Sequence, residues 1–269
     1  MNLYIGVLAM KWCRFKSGGQ TSYGIIEGDT VTEVSGSPFD SYTKTANSQP
    51  LSSVKLDVPL IPRTFYAAGI NFRDHITMMA ARRGEEPKFP PHADVNYRGI
   101  SALAAHEEPI IVPMDATELL QYEGELAVVI GKYGKHIPES EALDYVFGYT
   151  IGNDVSERTW QRGDRTNWRA KNCDTFNPMG PWIVTGLDPD TLHVTVRLND
   201  RVVAEYDVKD AIFSIRHYIS RISRYMALYP GDILWMGTDG EPENMKDGDI
   251  CEIEVNDIGV LRNPVVWER

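Results

Sequence analysis

The chain predicts a β-rich α+β fold, a mixed β-roll or barrel-like sheet assembly, and three observations carry that expectation. Short apolar runs bounded by Gly, Pro, Asn or Asp recur along most of the 269 residues. Only two or three stretches carry apolar residues at helical spacing. The connections between them include long, polar, Pro-rich segments of the kind that hold binding loops. A chain of this size can bury one large core, with room for a small appended region.

The elements follow in chain order. "LYIGVLA", "SYGIIEG" and "TVTEVSG" have strand patterns separated by Gly and Ser, so residues 1–55 form a small β-rich N-terminal region. Residues 35–53 are rich in Ser, Thr, Pro and Asn and are expected to be a loop or linker, with the main domain spanning 56–269. "RTFYAAGI" is a strand after Pro62. Residues 71–83 are expected to be helical, with Gly84 as the stop. The stretch "GEEPKFPPHADVNYRG" over residues 84–99 is expected to be a mobile loop that acts as a lid. "PIIVP", "GELAVVIG", "DYVFGYTIGNDVS" and "GPWIVTG" are strands, and "ERTWQRGDR" suits a short helix. "HVTVRLNDRVVAEYDV" alternates about Asn199-Asp200, as a hairpin does. Ile212, Ile215, Ile219, Ile222 and Met226 share a helical face. "ILWMGT" and two strands in "GDICEIEVNDIGVLRNPVV" close the chain.

Composition narrows the function classes. Hydrophobic residues make up 42% and charged residues 24%, as in ordinary globular domains, and the formal net charge is -11. That charge disfavours nucleic acid and anionic membrane surfaces as partners. The N-terminal stretch lacks the pattern of a signal peptide, and no run approaches the length of a membrane helix. Cys13, Cys173 and Cys251 are isolated, as expected of reduced thiols in the cytoplasm. With no glycine-rich nucleotide motif, neither NAD nor ATP is expected.

The most informative stretch is "QYEGELAVVIGK", residues 121–132. Side chains two apart on a strand share a face, so Glu123 and Glu125 project together. Two neighbouring carboxylates repel one another, and burial sharpens the repulsion unless a cation lies between them. Hard divalent ions accept such oxygen donors, and Asp154, at the end of another strand, is available as a third. The competing possibility at this point is a solvated E-x-E pair on an exposed edge strand.

Taken with "YAAGINFRDH", "YEGELAVVIGK", "VFGYTIGNDVSERTWQ", "RAKNCDTFNPMGPWIV" and "LYPGDILWMGT", the chain from about Arg63 onward resembles the fumarylacetoacetate hydrolase (FAH) superfamily. The resemblance implies an FAH-type mixed β-roll, commonly a homodimer. It also implies a divalent ion, Mg²⁺ or Mn²⁺ with Ca²⁺ also admissible, and a small-molecule 2-oxo acid substrate. Carried over by motif, Glu123, Glu125 and Asp154 become metal ligands. Arg158, Gln161, Thr175 and Thr238 become substrate contacts, and His75 and Lys171 become catalytic residues. The implied activity is metal-dependent cleavage of a C–C bond in an acylpyruvate or related diketo acid. The alternative is a decarboxylase, isomerase or dehydratase acting on oxaloacetate, a 2-hydroxydienoate or a sugar-derived 2-oxo acid.

The first of the departures from the family pattern favours that alternative. In acylpyruvate-cleaving members a Glu follows the lid His by three residues, whereas this chain has Met78. Arg98 stands where a Lys is frequent. Arginine keeps the charge but presents a planar fork in place of a point charge.

Overall fold

A computed structural model describes residues 9–269. The strand expected over residues 3–9 falls, apart from Ala9, outside the described residues, and the first observed strand is Lys11–Ser17. Most of the β structure lies in two sheets, one of 12 strands and one of 5. The described residues hold three α-helices: α1 (Arg73–Arg83), α2 (Arg158–Gly163) and α3 (Ile215–Tyr225). The β-rich α+β class is therefore correct.

The large sheet is built around Gly124–Ile130, which pairs antiparallel with Val146–Asn153 on one side and with Ile233–Trp235 on the other. Every residue of that central strand is buried. Leu126, Val128 and Ile130 join a core shared with Val194, Val196 and Ile253 of the smaller sheet. Ala127 and Val129, on the opposite face, pack with Phe65, Ile183 and Trp235. A strand covered on both faces reads as a continuous apolar run, as "LAVVI" does. Glu123 and Glu125 share the face of Ala127 and Val129 and lie where the strand begins.

The N-terminal strands do not form a sheet of their own. Lys11–Ser17 pairs with Asn177–Val184, so the N-terminal strands continue the large sheet outward. One expectation fails there. Within the supposed linker, Tyr42–Pro50 is the edge strand, paired antiparallel with Thr30–Gly36. Its polar composition reflects its position, because an edge strand with no covered face has no apolar alternation to display. The supposed lid also contains a short strand, Val95–Tyr97, paired with Phe65–Ala68.

Local signals account for the helices and the hairpin. Helix α1 ends at Gly84, whose φ of 66° closes the helix in the left-handed region. Helix α3 begins later than its apolar spacing suggests, because the Ser214 side chain caps it by accepting the His217 N–H. Ile212 therefore precedes the helix, while Ile215, Ile219 and Ile222 are buried along it. The hairpin turns at Asn199 and Asp200, with φ of 52° and 64°, the paired positive values of a type I′ turn. No helix among the described residues is long and apolar enough to cross a membrane. Cys13, Cys173 and Cys251 are free.

Candidate active site

The two glutamates flank Gly124, and the packing explains the glycine. A Cβ there would lie 2.7 Å from Val196 Cγ2 and 3.1 Å from Ile253, where the two sheets meet. The close approach of the sheets excludes a side chain on that face and leaves the carboxylates to point the other way. The exposed edge-strand alternative is thereby set aside: Glu123 is 8% exposed and Glu125 2%. Asp154 follows the strand Val146–Asn153 and is 2% exposed. One carboxylate oxygen from each of the three lies within 4.8 Å of the others. The register of the two strands brings them together, with Gly124 opposite Asn153. The Asp154 N–H also donates to the Glu123 carbonyl at 2.9 Å.

Three cations answer the three carboxylates. Lys171 Nζ donates to Glu123 Oε2 at 2.7 Å and to Asp154 Oδ2 at 2.6 Å. Arg98 grips both oxygens of Asp154, through Nε and Nη2, each at 2.7 Å. This is the bidentate fork that a lysine cannot make. Arg158 Nη2 lies 2.6 Å from Glu123 Oε1. Its Nε donates to Gln121 at 2.7 Å and its Nη1 to Gln161 Oε1 at 2.9 Å. Glu125 is less well served and accepts the Gly237 N–H at 2.6 Å. Gly237 makes that contact with a φ of 86°, a conformation that glycine adopts without strain.

These partners divide the carboxylates. Burial disfavours ionisation of Asp154, yet the charges of Arg98 and Lys171 outweigh it and hold its carboxyl well below the usual range. Glu123 follows the same pattern, with Lys171 and Arg158 overcoming burial. Burial and the neighbouring charges of Asp154 and Glu123 push Glu125 well above the ordinary glutamate range. Burial, and then the charge of Glu125, also raise the Tyr206 phenol, whose hydroxyl donates to the Gly124 carbonyl at 2.7 Å.

The cluster forms the base of a cavity of about 750 Å³ that His75, Arg158, Gln161, Lys171 and Thr238 also line. His75 lies in the first turn of α1, and its Nδ1 is 3.0 Å from the Gly240 carbonyl. A carbonyl only accepts, so Nδ1 carries the proton and Nε2 keeps the lone pair in the neutral ring. The His75 backbone N–H donates to Asp239 Oδ1 at 2.9 Å. Met79, one turn further along α1, also faces the cavity, and Glu85 and Glu86 enter its wall from the following segment. Thr175 stands apart from this group. It has a φ of 68°, its hydroxyl accepts the Ile111 N–H at 2.7 Å, and it does not line the cavity. The structure gives that hydroxyl a framework contact.

Sequence reasoning noticed Arg98 only as a departure and did not foresee its grip on Asp154. It did not foresee the contacts made by Gln121, Gly237 and Tyr206. Arg98 and Gly237 stand at no spacing that points to a carboxylate, since Arg98 is 56 positions from Asp154 and Gly237 is 112 from Glu125.

A buried carboxylate triad at the base of a cavity, set in a two-sheet β fold, defines a class of protein equipped to hold a hard divalent ion. The chain belongs to the fumarylacetoacetate hydrolase family: the profile described as "Fumarylacetoacetate (FAA) hydrolase C-terminal" matches residues 64–266. A second profile, "Rv2993c-like, N-terminal", matches residues 10–59. The oxaloacetate tautomerase YisK of Bacillus subtilis is 36% identical over 228 residues, covering 80% of this chain and 74% of that protein. The 2,4-didehydro-3-deoxy-L-rhamnonate hydrolase of Sphingomonas sp. is 32% identical, covering 95% of this chain and 96% of that one. Among solved structures, the 5-carboxymethyl-2-hydroxymuconate delta-isomerase of Mycobacterium smegmatis superposes with a TM-score of 0.87. It is 35% identical, and the match covers 96% of this chain and all of that one (100%).

Proposed function

We propose that this protein is a divalent-ion-dependent enzyme that moves a proton at C3 of a 2-oxo acid, interconverting keto and enol forms or shifting a double bond. The observation that carries this reading is the setting of His75. Its ring is oriented by a neutral carbonyl, no carboxylate among the described residues pairs with it, and one nitrogen is left as an acceptor on the cavity wall. Such a ring suits a single proton transfer to and from carbon. Water activation for C–C hydrolysis asks more of the base, and Met78 offers no help.

Glu123, Glu125 and Asp154 fit Mg²⁺ or Mn²⁺, because three buried carboxylates supply the oxygen donors those ions prefer. When bound, the ion supplies Lewis-acid stabilisation of an enolate oxygen. Lys171 and Arg158 set positive charge at the base of the cavity, where the acid end of the substrate would rest. His75 Nε2 removes the C3 proton and delivers it to the enolate oxygen, so the substrate gains and loses one proton without net change. Met79, Ile76 and Leu119 give the cavity apolar wall that limits water near the enolate.

The second reading is the C–C hydrolase of an acylpyruvate or related diketo acid. Glu85 and Glu86 favour it, since they share the cavity with His75 and could orient its ring from the other side. The named hydrolase and tautomerase relatives support the two readings about equally.

The test uses metal-stripped protein with and without added Mg²⁺ or Mn²⁺. The decay of enol absorbance of oxaloacetate is followed alongside acetate and pyruvate release from acetylpyruvate. Metal-dependent acceleration of the enol decay, lost in His75→Gln while Mn²⁺ still binds, supports the tautomerase reading. Acetate release from acetylpyruvate, with no effect on oxaloacetate, replaces it with the hydrolase.

A further inference from the structure

The Tyr206 hydroxyl occupies a junction that the reaction above leaves unused. Tyr206 lies near the end of the strand Arg201–Asp207, at one edge of the smaller sheet, and is 6% exposed. Its hydroxyl reaches across to the larger sheet and donates to the Gly124 carbonyl at 2.7 Å, with the Gly237 carbonyl 3.3 Å away. Its ring meets Phe72 edge-on, with the centroids 4.8 Å apart.

Each of these three partners belongs to a different part of the site. Gly124 lies between Glu123 and Glu125. Gly237 donates its N–H to Glu125 Oε2 at 2.6 Å and leads into Asp239 and Gly240, which hold His75 by its backbone N–H and its Nδ1. Phe72 is the residue from which α1 starts, just ahead of His75. One side chain from the smaller sheet therefore touches the carboxylate strand, the loop that orients the imidazole, and the start of the helix that carries it. Met236 marks where this control begins, because it is fixed by other contacts. Its carbonyl accepts the Asn71 side-chain amide at 2.9 Å, and its N–H donates to the Leu126 carbonyl at 3.1 Å. The next residue, Gly237, is the most permissive kind of link, so an outside contact is what holds the loop beyond it in one conformation.

We infer that Tyr206 is a positioning residue: its hydroxyl ties the Gly124 carbonyl to Gly237 and so sets Glu125 and the His75 ring in fixed relation. The inference rests on the reading of this cavity as a metal site with His75 as its base. Tyr206 does not line the cavity, so it acts through the backbone and not on substrate. Removing groups that orient metal ligands from behind typically changes metal affinity by about 10–100-fold.

The experiment compares the metal-stripped full chain as wild type, Tyr206→Phe and Trp182→Phe. Tyr206→Phe removes the hydroxyl and keeps the ring against Phe72. Trp182→Phe removes a different donor to a backbone carbonyl, that of Ile258 at 2.6 Å, away from the cavity lining, and controls for a general loss of stability. Calorimetric titration with Mn²⁺ gives the dissociation constant. Nitrogen NMR of the His75 ring, before Mn²⁺ is added, gives its tautomer. Tyr206→Phe is expected to weaken Mn²⁺ binding about tenfold and to lower the share of the Nδ1–H tautomer, since Gly240 no longer meets the ring at a fixed place. Trp182→Phe should lower the melting temperature and move neither readout. Fluorotyrosine placed at position 206 keeps the hydroxyl and should match wild type in both. An unchanged dissociation constant or an unchanged His75 ring in Tyr206→Phe overturns the inference. So does an equal change in Trp182→Phe or with fluorotyrosine. Neither readout uses turnover. Wild type that binds Mn²⁺ without accelerating enol decay sinks the proposed reaction and leaves these results standing. An active wild type matched by Tyr206→Phe sinks the positioning role alone. Wild type that takes up no Mn²⁺ overturns the metal reading and this inference with it.

Discussion

Replacing Glu125 with Gln should stabilise the empty protein and abolish its hold on a divalent ion. The substitution is nearly isosteric and keeps an oxygen to accept the Gly237 N–H. It removes one charge from a buried trio of carboxylates, one oxygen of each lying within 4.8 Å of the others. At that spacing and an effective dielectric of about 20, Coulomb's law gives roughly 3.5 kcal/mol of repulsion per like-charged neighbour. Lys171 and Arg98 return part of this, and burial adds to the cost of the charge. A net gain of about 1–3 kcal/mol follows, or a rise in melting temperature of roughly 2–10 °C for a chain of this size.

The pH dependence has a definite sign. The Glu125 carboxyl is raised above the ordinary glutamate value of 4.5, so the folded state holds this proton more tightly than the unfolded state does. The associated stability is complete below pH 4.5 and is lost as pH rises through the folded value. Glu123 and Asp154 are shifted the other way, so above pH 4.5 they are ionised in both states and add little slope. The gap between Glu125→Gln and wild type should therefore open as pH rises from 4.5 toward neutrality. The assay is scanning calorimetry of chelator-treated protein across that range, repeated with excess Mn²⁺. The ion should raise the melting temperature of wild type and leave the variant unmoved. A variant that melts at or below wild type when empty, or that responds equally to Mn²⁺, refutes the charge-repulsion argument.

Other outcomes follow from the same contacts. Gly124→Ala places a Cβ against Val196 and Ile253, so chemical denaturation should show a loss of about 1–3 kcal/mol, and calorimetry should show weaker Mn²⁺ binding as the glutamates shift. Lys171→Met leaves Glu123 and Asp154 without their shared ammonium. The empty protein should lose about 3–5 kcal/mol, and Mn²⁺ should raise its melting temperature by more than it raises that of wild type. Asp200→Gly, at a φ of 64° in the hairpin turn, should raise the melting temperature slightly, by the equivalent of up to about 1 kcal/mol.

Much of the fold was legible because local signals and tertiary outcome agree. The Asn199-Asp200 hairpin and the Gly84 helix stop depend on backbone conformations that few residues adopt easily, so the residue type announces them. Tyr42–Pro50 was missed because its side chains are mostly exposed, and a strand without a covered face leaves no alternation to read. The start of α3 was misplaced because apolar spacing extends past the Ser214 cap, which alone marks where the helical hydrogen bonds begin.

The candidate site divides in the same way. The sequence by itself determined the carboxylate trio, since Glu123 and Glu125 are placed together by strand periodicity and Asp154 is tied to them by motif. It also determined the absence of a Glu three residues after His75. Only the tertiary structure decided which cations answer those carboxylates, why Gly124 must separate the glutamates, and that Thr175 does not line the cavity. Strand pairing and sheet packing join Arg98 to Asp154 and Gly237 to Glu125 across 56 and 112 positions. Contacts at such separations obey no local period, and the charge balance of a buried site exists only once those chain segments have met.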